Sequence, residues 1–378
     1  MHASDPASRI AAWQKQSGRH GLPWQHTRDP YRIWLSEVML QQTQAATVIP
    51  YFLRFLEKFP TVTALADAPA DAVLQAWAGL GYYARARNLH RCAQLVRDAH
   101  GGQFPPDAAS LETLPGIGRS TAAAIAAFAH GERAPILDGN VRRVLIRYLA
   151  LAGDPGSTAM TRALWTHAQA WLDQAPDHLD MRAYTQGQMD LGAAICTRSR
   201  PDCLRCPLTA DCAARQQGLQ DTLPNPRPRR TQALHSCWMP IIECEDHLWL
   251  QRRPADGIWG SLWALPTFDD RATLDTLCPQ RPAASQIQTL ATIEHVFTHF
   301  RLLIQPVRIQ LQGPLSAHPI PITAAPDPAP GKPARTRNPA VIPNQSGEST
   351  WVPLTQLPNI GQPAPLSRLL LGLYPPHL

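Results

Sequence analysis

Few side chains in this chain are set up for chemistry, and they fall in four places. Glu37, Gln41 and Gln44 recur at i, i+4, i+7 on one predicted helix face, beside an apolar stripe of Tyr31, Trp34, Leu35 and Val38. A lone carboxylate with two amides is unlike a solvated face, which would carry paired charges; the plain alternative is a polar residue at a helix boundary. Asp138, in Pro135-Ile136-Leu137-Asp138-Gly139-Asn140, precedes a helix whose apolar face starts at Val141, Val144 and Leu145. Asp138 or Asn140 there either caps that helix or holds a carboxylate at a helix start near the third place, a glycine turn. Cys196, Cys203, Cys206 and Cys212 fall within 17 positions. Four thiolates so spaced suit a tetrahedral zinc or a four-iron cluster, and spacing does not decide between them.

The third place is Leu114-Pro115-Gly116-Ile117-Gly118-Arg119-Ser120-Thr121-Ala122. It follows a short helical pattern at Ser110–Thr113 and opens an alanine-rich one at Thr121–Ala129. Two helices joined by so tight a turn make a helix-hairpin-helix. Its glycines supply positive φ, or a backbone bare enough to approach a ligand. The N–H groups of Ile117, Gly118 and Arg119 sit where the second helix begins, and a helix start attracts anions such as a nucleic-acid phosphate. An ordinary αα-corner has the same outline.

The remaining helical patterns fall at about 9–24, 31 onward, 44–58, 70–78, 83–99, 140–150, 159–173 and 178–194, with no strand pattern before residue 212. Between two of them, Gly79-Leu80-Gly81-Tyr82-Tyr83 is expected to present an exposed apolar residue and two aromatics, side chains able to wedge or stack where a base leaves a duplex; the plain alternative is a hairpin packed into the core. Residues 218–231 are Pro- and Arg-rich and read as a linker. Beyond them, Ser236–Leu250 and Thr292–Leu311 carry strand-like runs, so 232–378 reads as a small α+β domain. Residues 313–346, with nine prolines, read as a disordered insertion in it. The chain is thus expected to be two-domain: residues 1–217, all-α with the cysteine loop, then 232–378.

Composition narrows the function. All of the net charge of +6 lies in residues 1–230, which hold 25 Lys+Arg against 19 Asp+Glu; the remainder balances at 10 each. That bias fits a nucleic-acid partner when it accompanies a phosphate-binding turn. No signal-peptide pattern and no apolar run long enough for a membrane span is present, so an intracellular, cytoplasmic protein is expected. Lysine is scarce: Lys15, Lys58 and Lys332 are the whole supply.

These motifs together resemble the adenine DNA glycosylases, the MutY family, over nearly the whole chain. The resemblance rests on Leu-Pro-Trp at 22–24, the run from Trp34 to Thr43, Gly79 to Leu89, the hairpin, Ile136 to Val141 and the four cysteines. It implies a helix-hairpin-helix glycosylase fold with a [4Fe-4S] cluster on Cys196, Cys203, Cys206 and Cys212, and a Nudix-like C-terminal domain that recognises 8-oxoguanine. The partner it implies is duplex DNA with adenine opposite 8-oxoguanine or guanine, bound by a monomer. Position by position, Glu37 matches the catalytic acid and Asp138 the second catalytic carboxylate, with Tyr82 and Asn140 near the reacting nucleotide. Trp24 and Gln186 match the adenine pocket, Gln42, Thr43 and Leu80 face the lesion strand, and Phe297-Thr298-His299 matches the loop that reads 8-oxoguanine. Gly116, Ile117, Gly118, Arg119 and Ser120 match the phosphate-binding hairpin.

The chain departs from the family pattern in its proline-rich insertion at 313–346, which is longer than the family leads one to expect, and in its C-terminal domain; a further feature, Ser120, bears on strand cutting. Lyase-competent relatives of the endonuclease III type carry a Schiff-base lysine where this chain has Ser120, so a monofunctional glycosylase is expected, with the N-terminal lysines remote in sequence. The C-terminal domain lacks the glutamate run of a Nudix box, so no nucleotide pyrophosphatase activity is expected. A non-catalytic DNA scaffold and a glycosylase-lyase for oxidised pyrimidines are the competing classes; the two carboxylates argue against the first and Ser120 against the second.

Overall fold

The structure, a computed structural model, describes residues 5–226, 232–254, 257–277, 286–317 and 348–375. The chain packs as two compact units, Met1–Ala68 with Arg87–Arg229, and Pro69–Ala86 with Arg230–Leu378. The second unit therefore takes in a segment from the helical half.

The helices in order are α1 (Pro6–Ser17), α2 (Pro30–Leu40), α3 (Ala45–Lys58), α4 (Val62–Asp67), α5 (Ala70–Ala76), α6 (Ala84–His100), α7 (Ala108–Glu112), α8 (Arg119–His130), α9 (Gly139–Tyr148), α10 (Thr158–Asp173), α11 (Met181–Asp190) and α12 (Ala213–Gln216). Their starts are chemically marked. Asp5, Asp29, Thr61, Asp107, Asp138, Ser157 and Asp180 each cap a helix by accepting a backbone N–H. In the first unit α2 packs on α8, α8 on α7 and α11, and α1 along α11. The core is built of Ile10, Ala123, Ile136, Leu145, Leu172, Tyr184 and their neighbours.

The expected helices are present, with corrections. The first ends at Ser17 and not near Trp24, because Gly18 leaves the helical backbone and Pro23 follows in a turn. α2 stops at Leu40, so Gln41 and Gln44 do not continue the Glu37 face: Gln41 is its C-cap and Gln44 the N-cap of α3. The last long pattern is α11 followed by one π-turn at Leu191–Ile195. α4 and α12, too short to show a period, went unanticipated.

Among the described residues strands occur only from Ala233 on: β1 (Ala233–Cys244), β2 (His247–Arg252), β3 (Trp263–Ala264), β4 (Gln286–Thr289), β5 (Ile293–Val296), β6 (Phe300–Leu311) and β7 (Ser349–Pro353), with α13 (Arg271–Leu277) and α14 (Ala364–Leu373). One mixed sheet runs β3-β2-β1-β6-β4, with β5 also on β6 and β7 on β2. Its spine is the parallel pairing of β1 with β6, Ala233 opposite Phe300 through Cys244 opposite Leu311. Ile242, Trp249, Phe268, Leu274, Val307 and Ile309 form a core cluster of this unit. Of the proline-rich 313–346 segment, Leu315–Ala317 form a 3-10 turn; residues 318–346 lie outside the described residues.

Candidate active site

Sequence places Glu37 in the middle of α2, where Trp34, Leu35 and Val38 turn their side chains into the core. Its own side chain is half-buried and lines a pocket of about 450 Å³. Trp24, Gln25, Arg182 and Gln186 line the same pocket. Trp24 meets Phe52 edge-to-face at 5.4 Å, which fixes one wall. Gln186 is oriented by donating to Asp190 at 2.8 Å. Asp190 is fully buried and also accepts the Arg19 N–H at 2.8 Å and Arg19 Nε at 2.7 Å. The predicted acid and both predicted adenine-pocket residues thus share one cavity.

Burial pushes the Glu37 carboxyl up to about 8, and the charge of Asp138 adds to it. Asp138 differs in its surroundings. It caps α9 by accepting the Val141 N–H at 2.8 Å, so the capping role and the buried-carboxylate role fall on one side chain. Burial raises it too, but the N–H groups of Val141 and Asn140, the Arg143 guanidinium and the Asn140 side chain pull it back. Arg143 also donates to Asn140 Oδ1 at 2.9 Å.

The hairpin adjoins this arrangement through Ser120. Its Oγ accepts the Leu137 N–H at 2.9 Å, one residue before Asp138. Gly116 is required twice over: its φ is +79°, and an added Cβ would lie 2.7 Å from Asn88 Cβ. Gly118 has ordinary φ and caps α8 facing open space, which suits a close-approaching ligand. The expectation for Ile117 needs correction, because its N–H is used within the turn, on Leu114 O at 3.2 Å. Arg119 lies over the Trp165 ring at 4.0 Å.

Other expectations fare unequally. Leu80 is buried, contrary to the exposed apolar residue expected, and Tyr83 is buried with it as the core-packed alternative has it; Tyr82 is half-exposed. Gln42 is exposed at φ 58° just past α2, with Thr43 beside it. Phe297 occupies the β5–β6 turn, its ring 4.5 Å from Phe300 and from His295 and 5.5 Å from Trp259, while Thr298 and His299 are exposed. Lys15 corrects the inference from sequence distance: it lines the Glu37 pocket, with its ammonium on Asp180 at 2.8 Å. Sequence reasoning also missed Gln25 and Arg182. Arg182 stands four residues before Gln186 on one face of α11, a signal that was available.

The four cysteines follow α11. Cys206, Cys212 and Cys196 pack on the helical core, and burial pushes the Cys206 thiol up to about 12, with the other three thiols adding to it. Among the described residues no three such groups close on a single metal ion. The fully buried Arg147 of α9 donates to Cys196 Sγ at 3.3 Å and to the carbonyls of Thr197, Arg198 and Leu223. Thiols that repel one another's charge ionise together only around a cation, and a buried guanidinium beside them favours the charged form; this donor set fits an iron or zinc group.

Residues 35–169 match the HhH-GPD superfamily of base excision DNA repair proteins, and residues 237–372 match the NUDIX domain. A helical hairpin domain with a pocket-lining acid and a Nudix-like sheet domain defines the class, a base-excision DNA N-glycosylase with an accessory domain. Among solved structures a thermostable thymine-DNA glycosylase matches at 29% identity with a TM-score of 0.50, over 56% of this chain and 95% of that one. The adenine DNA glycosylase of Buchnera aphidicola from Acyrthosiphon pisum is 36% identical over 80% of this chain and 85% of its own length. The human adenine DNA glycosylase is 34% identical over 80% of this chain and 66% of its own. The chain belongs to the adenine DNA glycosylases. No helix among the described residues is long and apolar enough to cross a membrane.

Proposed function

We propose that this adenine DNA glycosylase acts on adenine opposite 8-oxoguanine, or opposite guanine, and hydrolyses the N-glycosidic bond without cutting the strand. The observation that carries the reading is Glu37 in one pocket with Trp24 and Gln186, where burial and the Asp138 charge push its carboxyl up to about 8. Adenine leaves poorly as an anion, so Glu37 delivers a proton to N7 of the flipped base as the bond breaks. Trp24 stacks on the purine and the Gln186 amide reads its Watson–Crick edge. Loss of the base leaves an oxocarbenium-like sugar. Asp138, ionised with the help of the α9 N-terminus and Arg143, stabilises that cation, and water completes hydrolysis, as the carboxylate pair does in glycosidases. Asn140 and Tyr82 position the nucleotide, Gln42 and Thr43 face the lesion strand, and Phe297, Thr298 and His299 read 8-oxoguanine; Leu80, being buried, keeps no direct contact in this reading.

Cys196, Cys203, Cys206 and Cys212 would hold a [4Fe-4S] cluster. The donor set fits either iron or zinc, and membership of the adenine DNA glycosylases is what favours the iron–sulfur cluster. The cluster, when bound, ties the cysteine loop into a fixed shape.

Strand cutting by β-elimination needs an amine on the sugar. The hairpin offers Ser120, committed to Leu137 N–H, and the ammonium of Lys15 is committed to Asp180. The test is incubation with a duplex carrying adenine opposite 8-oxoguanine, scoring free adenine and strand scission before and after alkali. Released adenine with alkali-dependent scission is expected. Efficient borohydride trapping of a protein–DNA adduct would overturn the monofunctional reading, and Lys15 is where to look for it.

A further inference from the structure

Tyr82 stands in a conformation its own turn does not favour. Its φ is +51°, in the left-handed region where a Cβ is costly, just after Gly79 and Gly81, which also have positive φ. Such a residue persists only where neighbours hold it. Within the turn, Trp77 Nε1 donates to Gly81 O at 3.1 Å, and Arg85 lies over both the Trp77 and Tyr82 rings while donating to the carbonyls of Leu80 and Gly81.

The wider hold comes from the C-terminal domain. The segment Pro69–Ala86, although encoded in the helical half, packs as part of the second unit. Asp71 in the first turn of α5 takes both nitrogens of the Arg252 guanidinium on β2, at 2.7 and 2.5 Å. Arg252 is itself fixed by Glu348 at 3.0 Å and by the Trp263 ring. Leu74 and Gln75 abut Gly361, where an added Cβ would lie 3.3 Å from Leu74 Cβ. Tyr83, the residue after Tyr82, donates its buried hydroxyl to Gln362 O at 3.1 Å, and Gln362 in turn donates to Leu357 O. These three attachments bracket the Gly79–Tyr83 turn on both sides.

We infer that the C-terminal domain is a positioning element for Tyr82: through Asp71–Arg252, Leu74–Gly361 and Tyr83–Gln362 it sets where that ring is presented to DNA. Asp71, Arg252 and Tyr83 are positioning residues for base excision and touch no substrate atom. The inference rests on the role of Tyr82 near the reacting nucleotide, and displacements of an ångström or less in such a group are enough to slow a reaction.

The test is a mutant cycle on the full chain, read as the single-turnover rate of adenine release from a duplex with adenine opposite 8-oxoguanine, alongside the Kd for that duplex and the Tm. Asp71→Asn or Tyr83→Phe should slow the reaction three- to tenfold while changing Kd less than twofold. In a Tyr82→Ala background the same substitutions should slow it no further, because the group they position is gone. The charge-keeping variant Asp71→Glu should retain most of the rate, which separates positioning from a general loss of folding. Equal slowing with and without Tyr82, or no slowing by Asp71→Asn and Tyr83→Phe together, overturns the inference. A Tyr82→Ala enzyme as fast as the unaltered one overturns the role of Tyr82 and the inference with it, an outcome distinct from the first two.

Discussion

The middle of α2 and the start of α9 each place one carboxyl group where burial raises it, and the two settings differ in what acts beside burial. Glu37 sits on the side of a helix, where its own helix uses its backbone donors internally, and both influences on it, burial and the Asp138 charge, raise it. Asp138 sits at a helix start, where free N–H groups and Arg143 favour the charged form against the same burial. Burial raises both, and only Asp138 has influences that oppose the rise; under the proposed function this difference separates two chemically similar groups into proton holder and anion. That separation is what glycosidic bond cleavage requires of an acid and a counter-charge.

The largest expected effect tests the proton holder. Glu37→Gln keeps the shape and removes the transferable proton, so the single-turnover rate should fall by roughly 10²–10⁴. It should also stabilise the fold. Glu37 has a raised pKa in the native state, so the native protein holds a proton that the unfolded chain releases above its ordinary value of 4.5. The contribution of Glu37 to stability is therefore fully present below about 4.5 and lost as pH rises toward 8. Glu37→Gln should gain Tm over the parent progressively across that window. A variant that loses both activity and stability would place Glu37 in the structural class and break the comparison.

Next comes the anion. Asp138→Asn and Asp138→Ala both remove the charge, and both should slow excision by about 10²–10³, the scale for a lost electrostatic stabiliser. They should differ in stability: Asn retains an N-cap acceptor, whereas Ala forfeits it at about 1 kcal/mol. Melting both variants checks this. If both keep the rate, Asp138 is a cap and nothing more.

The pH profile sharpens the comparison within the unaltered enzyme. With Glu37 acting as acid, the rate should hold level up to about pH 8 and fall about tenfold per unit above it. The falling limb should vanish in whatever residual activity Glu37→Gln retains.

The helical half was largely legible because its signals are local. Aspartates that cap and apolar residues at helical spacing mark α2, α9 and α11 in the sequence, and the glycine turn marks the hairpin. What escaped depended on contacts between residues distant in sequence. Lys15 and Asp180 meet at the pocket from α1 and the start of α11, and no local pattern brings them together. Leu80 looked like a surface wedge in its glycine bracket, and its burial depends on what packs around it. The Glu37–Gln41–Gln44 face was drawn by extending a period past Leu40, although the Gln-Gln-Thr-Gln run there offers no apolar stripe to keep a helix going. The assignment of 69–86 to the second unit has no sequence signature, since ion pairs such as Asp71–Arg252 span most of the chain.

The smallest effect concerns what holds the anion in place. Ser120 stands in the hairpin, and its hydroxyl takes the N–H of Leu137, the residue before Asp138. Ser120→Ala leaves that part-buried N–H without its partner, which should cost about 1 kcal/mol of stability. In a chain with two units of this size, that corresponds to a Tm lower by about 2–4 °C. The rate should fall only a few-fold, because Asp138 keeps its own bond to Val141 N–H, and DNA affinity should change little, because Gly118 still faces open space. A loss of rate as large as that of Asp138→Asn would mean that the hydroxyl meets the substrate directly. A loss of affinity with the rate intact would move Ser120 into the phosphate-binding turn. The expected pattern, a small cost in stability and rate with binding unchanged, makes the hairpin serine a brace for the carboxylate at the start of α9.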